Sequence, residues 1–225
     1  QGQTVTVLVR VETESSLQVP MTLYTERAFG DHAATENFGL GIYYGLILVM
    51  IVFNLVLFFS LPDRSYLYYV GYLVGLIVIV TSLNGSLAQW VFPSSPGLTN
   101  VLLLSALGFT GVVLVLFLTS FLQLPQRWPT IMPLFWALAG ISALSGVAAL
   151  FLSYGTVVRL MVLIIILLLG SALIVGVLCW QRGFPAARYF VLAWVFFLAG
   201  GITTALTVMG VFPTSFITTY AVQIG

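Results

Sequence analysis

The chain has 225 residues, of which 60% are hydrophobic and 6% charged, and a net charge of +1; its mean hydropathy is +1.14. That composition excludes a water-soluble domain with an ordinary exposed surface and identifies an integral membrane protein. With no basic run, the chain offers no footprint for nucleic acid or for an anionic lipid surface; no nucleic-acid partner is expected, and the lipid bilayer is the partner that composition implies.

The chain begins at Gln1, without Met and without the basic and apolar regions of a signal peptide, so it is expected to start inside a longer protein. "TVTVLVRVET" places Val5, Val7, Val9 and Val11 on one face, and "SLQVPMTLYTE" does the same with Leu17, Val19, Met21 and Leu23. Both read as half-buried β-strands. Pro20 cannot donate to a ladder, which puts the second strand at an edge or bulge. Two strands alone are marginal, so residues 1–37 are expected to be the C-terminal end of a β-domain plus a linker. His32, the sole histidine, falls in that linker.

Six apolar segments follow, at 38–61, 65–88, 98–123, 131–153, 156–180 and 188–210, and a seventh begins near Pro213 and is cut off at Gly225. Each of the complete ones exceeds or approaches the roughly 20 residues that a helix needs to span a bilayer. The prolines lie in the N-terminal region, in loops or near segment ends, which suits uninterrupted helices. There is no lysine, so orientation rests on arginine. Arg64, Arg127, Arg182 and Arg188 lie after the first, third and fifth segments, which the positive-inside rule places in the cytoplasm, with the N-terminal strands outside. Trp90 and Phe92 then mark the outer interface, and Trp128 and Trp180 the inner one.

Within the segments, Asn54 must find hydrogen-bond partners inside the bundle, as a structural interhelical bond or as a switch. Arg159, one turn inside the fifth segment, either snorkels to the outer interface or pairs with an acid such as Asp31 or Glu36. Gly41 and Gly45 in "GIYYG", and Gly71 and Gly75 in "GYLVG", fit the small-xxx-small spacing that lets helices approach closely, within the bundle or in a dimer. In "LPDRS", Asp63 or Ser65 can cap the next helix, and Arg64 can reach a cytoplasmic domain. Tyr43, Tyr44, Tyr66, Tyr68, Tyr69 and Tyr72 read as interfacial anchors. Cys179, the lone cysteine, reads as a small apolar residue.

Retinal chemistry needs a lysine, zinc or serine hydrolysis needs histidine partners, and ion-coupled transport usually needs an ionisable group near midplane. The segments supply none of these, so neither a catalytic site nor a cofactor or metal site is expected. A small-molecule channel or carrier, with Thr203, Thr204 and Thr207 along its path, is the competing class. Such hydroxyls more often bond to their own helix carbonyls.

"GIYYGLILVMIVFNLVLFFSLPDRSYLYYVGYL" and "ARYFVLAWVFFLAGGITTALTVMGVFPTSFITTYAVQIG" resemble the opening and closing parts of the bacterial seven-transmembrane receptors with diverse intracellular signalling modules. The likeness covers Phe38 to Gly225 and rests on the glycine-tyrosine start, Asp63-Arg64-Ser65-Tyr66, Arg188-Tyr189, Ala193-Trp194 and Gln223-Ile224-Gly225. It implies an all-α, seven-transmembrane bundle at 38–225, truncated in its seventh helix, after the last strands of an extracytoplasmic β-sandwich. It further implies a sensory receptor of the bacterial inner membrane, with a jelly-roll sensor for carbohydrate-like ligands; a homodimer is the expected assembly. The cytoplasmic output would be a histidine kinase or diguanylate cyclase. Asn54, the four glycines and Arg159 are the expected residues of transmission or packing.

Overall fold

The computed structural model describes residues 24–93 and 95–208. The strands expected before Tyr24 and the helix expected from Pro213 lie outside the described residues. The described residues form eight α-helices, α1 (Glu26–Ser60), α2 (Arg64–Leu83), α3 (Ser86–Trp90), α4 (Pro96–Phe121), α5 (Leu124–Arg127), α6 (Met132–Ala148), α7 (Tyr154–Gln181) and α8 (Pro185–Val208), and one 3-10 turn, Pro129–Ile131. Six of these, α1, α2, α4, α6, α7 and α8, are long and apolar enough to cross a membrane.

The ends follow from local chemistry. Thr25 caps α1, its hydroxyl accepting from Ala28 N at 3.3 Å. The helix runs unbroken to Ser60 and stops where Pro62 forces Leu61 into extended backbone. Residues 26–37, read from the sequence as linker, are therefore the first third of α1. Of the two capping candidates for α2, Asp63 serves, its Oδ1 accepting from Ser65 N at 2.8 Å. Pro96 and Pro185 stand in the first turns of α4 and α8, where no intrahelical N–H is lost. The C-terminus of α7 is a Schellman turn: Gly183 takes φ +84°, with Gly183 N donating to Trp180 O and Phe184 N to Cys179 O.

The spans are not equally enclosed. In the most apolar stretch of α4, 56% of the residues are buried, against 11% in that of α1, so α4 is the central helix and α1 a peripheral one. Helix α4 packs against α2, α6 and α7, while α1 lies on α2 and α8 on α7. The main core, with Val115, Leu118, Leu122, Phe135 and Leu168 almost wholly enclosed, fills the end of the bundle where α4 terminates.

Small residues set the closest of these approaches. A Cβ on Gly108 of α4 would lie 2.6 Å from the Gly146 Cα of α6, and one on Gly111 would lie 2.8 Å from Ser142 Oγ. Ser105 Oγ donates across the same seam to Gly146 O at 3.1 Å. On the other side of α4, a Cβ on Gly71 would press on Val113, and one on Gly75 would collide with Thr110. By contrast, Gly41 and Gly45 have nothing within 4 Å.

Gly108→Ala is therefore expected to drive α4 and α6 apart at a cost of about 1–3 kcal/mol. Gly41→Ala should be neutral or gain up to about 1 kcal/mol, since alanine removes glycine's backbone freedom without a clash. Unfolding titrations in mixed micelles check both, and equal midpoints for Gly108→Ala and wild type would remove the close approach as a source of stability.

Candidate functional site

The turns that carry Arg64, Arg127 and Arg182 come to one end of the bundle, and two of them are tied together by aromatic rings. The Arg127 guanidinium lies 4.3 Å from the centre of the Phe184 ring, and that of Arg182 lies 4.4 Å from Trp128. The two contacts run in opposite directions between the same two connections, α4–α6 and α7–α8. The Schellman turn of α7 is what presents Phe184, and the short helix α5 is what presents Arg127. Arg188 stays local, its guanidinium 4.6 Å from the Tyr189 ring and its Nη2 donating to Tyr189 Oη at 2.6 Å.

Behind this clasp a continuous file of rings crosses the bundle. Tyr72 stacks on Tyr69, Tyr69 meets Phe117 at 5.4 Å, and Phe117 stacks on Phe121 at 5.3 Å. Phe121 then meets Phe190 at 6.2 Å, which contacts Trp194 edge-on at 5.6 Å, followed by Phe197. The file joins α2 to α4 to α8, at separations where aromatic pairs attract. Tyr69 and Tyr72, read as headgroup anchors, are thus partly buried, with Tyr72 against the main core. They face a neighbouring helix because α2 lies between α1 and α4.

Asn54 is buried at 7% exposure, and its Nδ2 donates to Met50 O of its own helix at 2.8 Å. The expected interhelical bond is replaced by this bond to the preceding turn, which pairs one amide N–H without a partner helix. Polar links between helices come instead from Ser105 and from Ser65, whose hydroxyl donates to Ser120 Oγ at 2.8 Å and joins the start of α2 to the end of α4. Arg64 is exposed beside it, and Asp63 is engaged in its cap. Arg159 is exposed on α7, toward the opposite end of the bundle. Of the tyrosines at that end, Tyr44 has a buried hydroxyl without a hydrogen bond, facing Asn84.

Among the described residues there is no group of His, Cys, Asp or Glu able to hold a metal ion. Sequence reasoning counted Arg127 and Arg182 only for topology, and Trp128 only as a belt residue. Gly183-Phe184-Pro185, a helix stop that fixes an aromatic ring, was the signal that could have pointed to the clasp.

Six membrane-capable helices, with α4 at their centre, define a multi-pass helical membrane protein. The family described as 7TM diverse intracellular signalling matches residues 36–225, and the chain belongs to that family. It is a transmembrane signalling domain. No curated protein and no solved structure matches the chain.

Each half of the clasp should contribute about 0.5–1 kcal/mol. Trp128→Leu is expected to speed amide hydrogen exchange in both connections, 124–131 and 182–184, because the two are held by each other. Acceleration confined to the mutated connection would show that the rings do not couple them.

Proposed function

We propose that this chain is the membrane module of a bacterial sensory receptor, coupling an extracytoplasmic ligand-binding domain to a cytoplasmic output domain of histidine kinase or diguanylate cyclase type. It sits in the inner membrane as a homodimer, with its N-terminal end outside and its arginine-bearing end in the cytoplasm. The sensor upstream takes carbohydrate-like ligands.

The observation that carries this reading is the unbroken length of α1. Its 35 residues rise about 50 Å at 1.5 Å each, against a hydrocarbon core of about 30 Å. The surplus falls at the N-terminal third, which bears Glu26, Arg27, Asp31 and Glu36 and so belongs in water. One rigid element thus runs from the aqueous phase through the membrane. Displacement of its outer end moves the α1–α2 contact, and α2 is joined to α4 through Gly75 and Ser65 and onward to α8 through the rings. A ligand uses such a route only if it prefers one of two arrangements, for which a coupling of about 1–3 kcal/mol is typical.

Two glycines inserted after Thr35, in a receptor carrying its sensor and output domains, break the helix outside the membrane. The expected result is a ligand response reduced at least about fivefold, with basal output and membrane insertion kept. An undiminished response would reduce α1 to an anchor.

A further inference from the structure

At the arginine-bearing end a cleft of about 250 Å³ opens between the start of α2, the end of α4, α5 and the start of α6. Arg64 lines it. Among the described residues this guanidinium has neither an ion-pair nor a ring partner, unlike Arg127, Arg182 and Arg188, each of which lies over an aromatic ring. Ser120 also lines the cleft, and because its oxygen accepts from Ser65, its own proton is free to be donated. The nearest acid along the chain, Asp63, is turned to Ser65 N.

Gln123 supplies a second, independent sign. It ends α4 at φ +53°, the left-handed position that glycine normally fills, and among the described residues it is the sole non-glycine at positive φ. Backbone held this way is strained, and such strain gathers at ligand sites. The side chain retained at that cost lines the cleft, next to the amide of Gln126. Cation, amides and hydroxyl are all hydrogen-bond donors, a set suited to the oxygens of a phosphate.

The opposite wall is apolar. Met132 and the half-exposed Trp136 of α6 form it. A donor-lined floor beside a lipid-facing wall fits an amphiphile with an anionic head. We propose that this cleft binds the phosphate group of an anionic phospholipid, with Arg64, Ser120 and the two glutamines at the head and Trp136 along the first carbons of the chain. Free phosphate shares the headgroup chemistry and lacks the tail.

The test uses the intact chain in nanodiscs of phosphatidylcholine doped with phosphatidylglycerol, with retained lipids counted by native mass spectrometry. Wild type should keep one phosphatidylglycerol that Arg64→Gln retains about fivefold less, the worth of one cation near a charged headgroup. Gln123→Gly relieves the strained backbone, so it should raise the melting temperature while also lowering retention, which separates lost binding from lost folding. In pure phosphatidylcholine, inorganic phosphate is titrated against melting temperature. A shift present in wild type and absent in Arg64→Gln would support the site with free phosphate as its source. Equal retention of phosphatidylglycerol by wild type and Arg64→Gln, with no phosphate-dependent shift, would overturn the proposal.

Discussion

Everything in this bundle is hung on how closely other backbones can approach α4. In hydrocarbon, apolar side chains gain nothing by leaving lipid for a neighbouring helix, so association depends on packing distance. At Gly108 and Gly146 the two main chains nearly touch, and Gly75 admits Thr110 where any side chain would exclude it. These contacts fix α2 and α6 on opposite sides of α4, and only then can α7 and α8 close the main core around Leu118, Leu122 and Leu168. The ring file is a consequence of the same placement, because Phe117 and Phe121 reach α2 on one side and α8 on the other.

Polar groups follow a different rule. Thr81, Ser82, Thr110, Thr119 and Ser145 return their hydroxyls to carbonyls of their own helices, as the Asn54 amide does. Lipid offers no partner, and the preceding turn always does. Ser65 to Ser120 and Ser105 to Gly146 instead bond across seams of α4. The α1–α2 contact is mainly one of packing, with the Tyr44 hydroxyl of α1 facing Asn84 at the end of α2.

Six of the spans and their approximate limits were legible because twenty-residue apolar runs and proline positions report directly on what lipid permits. Which glycines mattered was not. Gly41 and Gly45 repeat the spacing of Gly71 and Gly75, yet one pair faces open space and the other faces α4. A helix that is apolar on every side carries no stripe to show which face meets protein, and so Gly108, Ser142 and Gly146 looked no different from the rest. Asn54 was recognised as needing a partner, but a sequence does not say whether that partner is across a seam or one turn back. The extension of α1 was missed because its first third is polar and resembles a linker, although Thr25 and Glu26 are ordinary helix-start residues. The clasp joins connections that only the fold brings together.

On the proposed function, input and output make opposite demands, and different helices meet them. An input element has to move at low cost, which fits α1: long, mostly facing lipid, and attached to the bundle through α2 alone in its principal contacts. An output surface has to keep its shape, so that a small displacement arrives as a change of position and is not lost as local disorder. The arginine-bearing end has that character, with its main core, its reciprocal cation–π contacts and the Ser65–Ser120 link gathered at one level. Stiffness graded from a loose first helix to a tied far end is the arrangement that lets one rigid lever bias a whole bundle. A bundle equally tight throughout would resist the lever, and one equally loose would absorb it.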